Sequence, residues 1–162
     1  MSAPYEEILD GDSVLRLSPG ARHEVICHRL HAMVAASVAN FAGAKLLPAR
    51  TRIQLSHRSA LCPDLAVVAV ATGKIWLAAE VVSSSDHHPD TVIKKQIYEA
   101  AKLPRLWVVD PRYDNVEVYH TNHYGLILKG ILAGQERLTE KLLPEFKLAI
   151  ADLFRTAGQI SA

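Results

Sequence analysis

PDLAVVAVATGKIWLAAEVVSSSDHHPDTVIKKQIYEAAK, residues 63–102, is the stretch of sequence that decides the fold. It contains two short apolar segments that predict buried strands over residues 64–70 and 75–82, followed by a helical segment. Each predicted strand carries one acid, Asp64 in the first and Glu80 in the second. A carboxylate within an apolar strand is costly to bury unless it is paired or binds a metal. These two acids are therefore the first candidates for a functional site.

The helical segment, residues 89–102, contains two adjacent lysines that helix geometry separates. At roughly 100° per residue, the apolar stripe that faces inward consists of Ile93, Ile97 and Ala100. Asp90 and Lys94 lie beside this stripe, one turn apart, whereas Lys95 points away from it. We therefore expect Lys94 to reach the end of the sheet and Lys95 to face solvent.

Two carboxylates on adjacent strands with an ammonium group nearby suit metal-assisted hydrolysis of a phosphodiester. Oxygen ligands favour Mg²⁺ or Mn²⁺, which would lower the pKa of a bound water and offset charge in the transition state. Lys94 would orient this water or stabilise the developing charge. The structural alternative is that Asp64 only ends a loop and that Glu80 forms a salt bridge with Lys94.

The rest of the chain predicts further elements of one domain spanning residues 1–162. They are a hairpin over 5–17 with Asp10-Gly11 as its turn, a long helix after Ser18-Pro19-Gly20, strands over 106–110, 115–120 and 124–132, and a short helix near 150–157. Alternation places Arg50 and Arg52 on one face of a strand pair or extended arm. It also assigns Trp76, Ala78, Glu80 and Val82 to one face of their strand.

Composition favours a protein that contacts nucleic acid only locally, because the net charge of the 162 residues is only +1. The cysteines, Cys27 and Cys62, fit a reducing cytoplasm better than a disulfide framework. The chain shows no secretory signal and no apolar run that could span a bilayer, so we expect a cytoplasmic protein without a membrane partner. Zinc at Cys62, His87 and His88 is not supported by Cys-x-x-Cys or His-x-x-x-His spacing.

Several motifs occur in the order found in the Uma (Uma-two) family. They are EILDGD, CPDLAVVAV, AAEVVSSS, the D, K and Y of DTVIKKQIY, and LWVVDP. Over residues 7–154 the chain resembles this family of restriction endonucleases, which belongs to the PD-(D/E)xK nuclease-like class. The resemblance implies a restriction-endonuclease-like α/β fold, with a central mixed β-sheet flanked by helices. It also implies an Mg²⁺- or Mn²⁺-dependent endonuclease that acts on nucleic acid, with DNA as the expected substrate.

The resemblance also implies roles for individual residues. Asp64 and Glu80 match the two acids of the motif and would bind the metal, helped by the main-chain carbonyl of Val81. The class usually has its lysine two residues after the second acid, where this chain has Val82. In this family the lysine comes from the following helix, and Lys94 matches it.

Three further residues are candidates for supporting roles. Asp90 matches the acid one turn before the lysine and would anchor Lys94 or contribute to the site. His23 matches the start of the family's first helix and is either a satisfied, mostly buried histidine or a site-edge residue that contacts phosphate. Glu7 is either an additional acid of the site or a surface charge of the hairpin.

The expected partner is nucleic acid, and Arg50, Arg52 and Lys95 either contact its phosphates or are ordinary solvated charges. Cutting both strands of a duplex is simplest with two sites related by a two-fold axis, so we expect a homodimer. The alternative function is a nuclease-like domain without catalysis that binds nucleic acid or a protein partner. The near-neutral charge and the loop at residues 83–86, which departs from the family pattern, favour this alternative.

Overall fold

The structure is a computed structural model that describes residues 3–83 and 89–156. Its strands are β1 Tyr5–Leu9, β2 Asp12–Arg16, β3 Ala44–Leu46, β4 Ile53–Gln54, β5 Ala60–Leu61, β6 Leu65–Ala69, β7 Ile75–Val81, β8 Arg105–Asp110, β9 Asn115–Asn122, β10 Gly125–Ala133, β11 Arg137–Glu140 and β12 Leu143–Ala149. Its helices are α1 Ala21–Val38, α2 Lys94–Ala100 and α3 Ile150–Phe154, and a π-helical segment, Pro89–Ile93, leads into α2. The predicted order of elements is confirmed, but the hairpin of β11 and β12 was not predicted.

The central sheet is mixed, as predicted. Its six strands have the order β10-β9-β8-β7-β6-β3. β7 and β8 are parallel, whereas the other neighbouring pairs are antiparallel. Parallel neighbours require a long crossover, and the crossover from β7 to β8 carries α2. Because Leu65 pairs with Ala79, Asp64 lies at the level of Glu80 at one end of the sheet.

Apolar side chains cover both faces of this sheet. The predicted stripe of α1 is confirmed, since its buried residues are Ile26, Cys27, Leu30, Val34 and Ser37. They share a core with side chains of the β11–β12 hairpin and α3. On the opposite face, Tyr98 of α2 packs with residues of β1, β5 and β8. The end of the sheet that carries both acids therefore lies between α1 and α2.

The N-terminal hairpin reaches the α2 face through a tight turn. Asp10 and Gly11 have φ values of 50° and 92°, which fits the type I′ turn that a two-residue hairpin loop prefers. This hairpin joins a second sheet of order β2-β1-β5-β4. It buries Glu7 and Arg16 against the central sheet.

Two predictions of side-chain direction, in β7 and in the helix that follows it, are wrong. Trp76 is an extra residue in a bulge of β7, since Val67 pairs with Leu77 and Val68 with Ile75. Trp76 therefore packs on the α1 side, because a bulge interrupts the alternation of a strand.

The second error concerns the helix that follows β7. Its fully buried residues are Asp90, Lys94 and Tyr98, not Ile93, Ile97 and Ala100. Ile93 and Ile97 are half-buried and Ala100 is exposed. The polar residues take the central positions because they find charged partners there.

Within the described residues, no helix is long and apolar enough to cross a membrane.

Candidate active site

Lys94 lies at the centre of a buried group of charges on the α2 side. Its Nζ is 2.6 Å from Oε1 of Glu80 and 2.8 Å from Oε2 of Glu7, and its side chain is 1% exposed. Burial alone would lower the pKa of Lys94, but the facing carboxylates of Glu80 and Glu7 raise it above its ordinary value. Lys94 therefore stays charged. Lys95 lies elsewhere, with its Nζ 5.0 Å from the centroid of the Tyr119 ring.

The two acids that share Lys94 have opposite pKa shifts. Burial raises the pKa of Glu80 to about 8, although Lys94 opposes the change. Burial also acts to raise the pKa of Glu7, but Lys94, the N–H of Cys62 and Arg16 together lower it. Such a division is expected where two carboxylates compete for one cation. Tyr98 completes the group, because its hydroxyl donates a 2.5 Å hydrogen bond to Oε2 of Glu80.

Arg16 links Glu7 to Asp90 in the same network. Its Nη1 donates to Oε1 of Glu7 and its Nη2 to Oδ1 of Asp90, both at 2.7 Å. The other oxygen of Asp90 accepts from the N–H of Ser83 at 3.0 Å, and burial raises the pKa of Asp90. Asp90 thus supports Lys94 through Arg16 and Glu7.

Arg16 was not predicted from the sequence, because the pattern around it is misleading. Its neighbours Leu15 and Leu17 are 65% and 66% exposed, whereas Arg16 is 4% exposed. A segment VLRL predicts buried leucines and a solvated arginine. The one available signal is that alternation places Arg16 on the opposite side of the strand from both leucines.

Asp64 lies at the same end of the sheet and contacts α1 through His23. Its Oδ2 accepts the N–H of Val81 at 2.8 Å. The Nε2 of His23 lies 2.9 Å from the carbonyl oxygen of Val81 and 3.6 Å from Oδ2 of Asp64. His31 contacts the main-chain carbonyl of Asp64 at 2.7 Å. Asp64 and the main chain of Val81 are thus held side by side.

Oδ1 of Asp64 is buried and accepts no hydrogen bond from any residue that the structure describes. The Nε of Arg50 lies 3.4 Å away and is likewise buried without a hydrogen bond in the described part of the chain. Arg50 is held by Glu24, to which its Nη2 donates at 2.7 Å. Buried carboxylate oxygens are almost always satisfied, so Oδ1 is a position at which a ligand is expected.

The prediction that Arg50 and Arg52 share a face is wrong. Arg50 has a φ of 59°, so a left-handed turn replaces the extended backbone that alternation assumed. Arg52 is exposed, and its Nη1 lies 3.5 Å from the carbonyl oxygen of Glu6.

The structure brings together most of the residues predicted from the sequence: Glu7, His23, Asp64, Glu80, Val81, Asp90 and Lys94. Glu7 is fully buried, so its interpretation as a surface charge is wrong. The salt bridge between Glu80 and Lys94 is present, as the structural alternative predicted. His87 and His88 lie outside the described residues.

The donor set fits a hard divalent cation. The cluster has four buried carboxylates, and Arg16, Lys94 and Arg50 are cations beside them. The unsatisfied Oδ1 of Asp64 supplies an oxygen ligand, and the carbonyl of Val81 has a second lone pair beyond the one directed at His23. Oxygen ligands of this kind suit Mg²⁺ or Mn²⁺.

A mixed sheet that carries two acids and a helical lysine at one end defines a nuclease-like α/β protein. The chain belongs to the Uma2 family, described as "Putative restriction endonuclease", whose model matches residues 4–151. Restriction-endonuclease-like proteins generally use divalent metal ions, which agrees with the donor set.

The fold is also found in a solved structure, a "putative nuclease belonging to DUF820" from Anabaena variabilis ATCC 29413. The two chains are 16% identical, and the TM-score is 0.78 over 94% of this chain and 91% of that one. At this identity the similarity establishes the fold alone. None of the curated proteins compared with this chain matches it.

Proposed function

We propose that the protein is a metal-dependent nuclease that hydrolyses phosphodiester bonds of nucleic acid, with DNA as the expected substrate. The observation that carries the proposal is the buried, unsatisfied Oδ1 of Asp64 beside the Glu80–Lys94 pair. Asp64, Glu80 and the carbonyl of Val81 would hold Mg²⁺ or Mn²⁺. When bound, the ion would lower the pKa of a coordinated water and offset negative charge on the phosphate.

The protein's own groups would position the reactants. Lys94 is charged and has one ammonium hydrogen beyond those directed at Glu7 and Glu80. This hydrogen is suited to orienting the attacking water or to stabilising charge on a phosphate oxygen. Glu7 would fix Lys94, and Tyr98 would fix Glu80. His23 would hold the carbonyl of Val81 beside Asp64.

A plasmid-cleavage assay tests this proposal. Wild-type protein is incubated with supercoiled DNA and Mg²⁺ or Mn²⁺, and nicked and linear products are quantified. Asp64→Asn should abolish cleavage because a neutral amide replaces the anionic metal ligand. Asp152→Asn is the matched control, since Asp152 is 57% exposed on α3 and should retain full activity. Cleavage that survives Asp64→Asn would overturn the assignment.

Lys94→Ala tests the second role in the same assay. It should remove cleavage, whereas Lys129→Ala, on the exposed side of β10, should not. Because Lys94 is buried between acids, circular dichroism must show that the variant is folded. A folded Lys94→Ala protein with wild-type cleavage would remove Lys94 from the mechanism.

A second candidate is a nuclease-like domain that binds nucleic acid or a protein without cleaving. The observation that favours it is that both oxygens of Glu80 already accept hydrogen bonds, from Lys94 and Tyr98. Calorimetric titration with Mn²⁺ separates the candidates. Binding that is lost in Asp64→Asn supports the nuclease, and wild-type protein that binds no Mn²⁺ supports the second candidate.

The remaining properties stay predictions from the sequence. Homodimerisation is tested by sedimentation equilibrium, and a cytoplasmic location by fractionation of the source cells. Phosphate contacts by Arg52 and Lys95 predict weaker DNA binding when either is changed to alanine, measured by fluorescence anisotropy. A set of DNA and RNA substrates decides which nucleic acid is preferred.

A further inference from the structure

The α1 side of the site contains a group of three possible ligand residues, of which the proposed nuclease function uses only Asp64 as a metal ligand. His23 and Cys27 are four residues apart on α1 and project towards Asp64. One ligand atom from each of these three residues lies within 4.8 Å of the other two. Side chains four residues apart on a helix share a face and can chelate one metal ion. The motif His-x-x-x-His does not match this pair, because its second residue is a cysteine.

We propose that His23, Cys27 and Asp64 form a binding site for a thiophilic divalent cation of the zinc type. A nitrogen, a sulfur and an oxygen ligand are the donors that Zn²⁺ prefers. Three protein ligands would leave one position of a tetrahedral ion for water. The site is distinct in chemistry from the all-oxygen set proposed for Mg²⁺ or Mn²⁺, although the two share Asp64.

The distance between the first two ligands fits this geometry. The Sγ of Cys27 lies 3.5 Å from Nδ1 of His23. Zinc bonds of about 2.3 Å to sulfur and about 2.0–2.1 Å to nitrogen place the two ligand atoms about 3.6 Å apart at the tetrahedral angle. The ion would therefore fit between these side chains with little change in α1.

In metal-binding histidines the ring nitrogen that does not bind the metal usually donates a hydrogen bond, and His23 has such a contact. Its Nε2 lies 2.9 Å from the carbonyl oxygen of Val81, which only accepts hydrogen bonds, so Nε2 carries the proton. Nδ1 then has its lone pair directed at Cys27. Histidines that bind metals generally donate their second N–H to a carbonyl or carboxylate, which fixes the ring and its tautomer.

The charges of the ligands and the exposure of the side chains that cover Asp64 also suit an ion of charge +2. Coordination would transfer the thiol proton of Cys27 to solvent, and the resulting thiolate and the Asp64 carboxylate together neutralise the ion. Oδ1 of Asp64 accepts no hydrogen bond in the described part of the chain and could supply a lone pair, with the Nε of Arg50 3.4 Å away. Arg50 and Glu24 cover this side of Asp64 and have side chains 12% and 33% exposed, so movement of Arg50 would open the path.

Co²⁺ is the probe for this site, because its absorption reports both thiolate bonding and tetrahedral geometry. Metal-free protein with reduced thiols is titrated with Co²⁺. We expect one equivalent to give a sulfur-to-cobalt charge-transfer band and visible bands, which Zn²⁺ removes and Mg²⁺ does not. The second buried cysteine gives the matched control: Cys62→Ala should keep the bands and Cys27→Ala should lose them.

Each outcome decides the assignment. Cys27→Ala should weaken Zn²⁺ binding by at least the roughly 10- to 100-fold that loss of a supporting residue costs a metal site. Folded wild-type protein without the charge-transfer band would overturn the proposal, whatever the variants do. Bands that persist in Cys27→Ala, or that disappear in Cys62→Ala, would place the metal elsewhere and overturn it too.

One consequence rests on the proposed nuclease function. Because both ions need Asp64, Zn²⁺ should inhibit cleavage in Mg²⁺, measured for each protein relative to its own rate without zinc. Wild type and Cys62→Ala should be inhibited, and Cys27→Ala should resist. If no protein cleaves DNA, the nuclease proposal fails while the cobalt spectrum still decides the zinc site. If a protein that shows the cobalt bands cleaves DNA equally fast with and without zinc, the claim that both ions need Asp64 is refuted.

Discussion

The two sides of the sheet end differ in how completely their charges are paired. On the α2 side, both oxygens of Glu7, of Glu80 and of Asp90 accept hydrogen bonds or ion pairs at 2.5–3.0 Å from partners such as Lys94 and Arg16. On the α1 side, one oxygen of Asp64 accepts no hydrogen bond from the residues placed by the structure and has only a 3.4 Å ion pair with the Nε of Arg50. Both sides are buried, so the difference does not come from solvent.

This difference indicates that the α2 side supports the structure and that the α1 side can bind an ion. Buried charges are tolerated when each one is satisfied, and such networks hold their members in one arrangement. The α2 network therefore fixes Lys94 and Glu80, whereas the α1 side leaves donor atoms for an ion. Changes to the first side should mainly affect stability, and changes to the second should mainly affect metal binding.

Lys94→Met should give the largest effect, a loss of stability. Methionine keeps the length of the side chain but leaves the carboxylates of Glu7 and Glu80 buried without their shared cation. Removing one partner of a buried ion pair costs about 3–5 kcal/mol, measured as the free energy of unfolding in urea. Lys129→Met, on the exposed side of β10, should change it by less than about 0.5 kcal/mol. A Lys94→Met protein as stable as the control would show that the network is not a support.

Mn²⁺ should stabilise the wild-type protein through the α1 side. At a hundredfold excess over its dissociation constant, a ligand that binds only the folded state adds about 2.7 kcal/mol to the free energy of unfolding. Asp64→Asn should remove this increment because the variant lacks the anionic ligand. Stability without metal should change by only about 1 kcal/mol, since the amide oxygen can still accept the N–H of Val81.

The control for this experiment is Asp152→Asn, which should keep the full Mn²⁺ increment. Asp64→Asn that is destabilised as strongly as Lys94→Met would contradict the distinction between the two sides. An increment that persists in Asp64→Asn would place the Mn²⁺ ion outside the proposed site.

The sequence predicted the acids and the lysine because their signals are local. Asp64 and Glu80 are acids in apolar strands, and the helical period distinguishes Lys94 from Lys95. Antiparallel pairing of β6 and β7 then brings the acids to the same level. The placement of these three residues therefore follows from signals within a few residues or within one hairpin.

The features that the sequence did not predict depend on contacts between distant segments. Arg16 is buried because Asp90, 74 residues away, accepts its hydrogen bond. The polar positions of the π-helical segment and α2 turn inward for the same reason, against the apolar stripe. The zinc-type ligand group likewise requires α1 to lie beside Asp64, and nothing within α1 alone indicates this.

Glu80 should make stability and metal binding depend on pH in opposite directions. Its pKa is raised from 4.5 to about 8, so between these pH values the folded state binds more protons than the unfolded state. Stability should therefore fall as the pH rises through this window, by at most about 1.4 kcal/mol per pH unit. Mn²⁺ affinity should rise up to about pH 8, because the ion requires the carboxylate.

Above pH 5, Glu80→Gln should remove the contribution of Glu80 to both dependences, which unfolding curves and calorimetry at several pH values can measure. Asp90, whose pKa is also raised, keeps its own contribution. Below that range, the lowered pKa of Glu7 acts in the opposite sense. Glu7 contributes fully to stability above its pKa in the unfolded state. This contribution is lost as the pH falls through its lower pKa in the folded state. An unchanged pH dependence in Glu80→Gln would assign the titration to another group.

Tyr98→Phe should give the smallest effect, a shift of this pH dependence. Its hydroxyl, whose pKa is raised well above the ordinary value by burial and Glu80, remains protonated and donates to Oε2 of Glu80. Without this donor the carboxylate is less stabilised, so the pKa of Glu80 and the pH midpoint of Mn²⁺ binding should move higher. The stability lost at neutral pH should be about 1 kcal/mol. Tyr119→Phe is the matched control, because the Tyr119 hydroxyl donates instead to Glu117. An equal shift of the midpoint in both variants would show that Tyr98 does not act through Glu80.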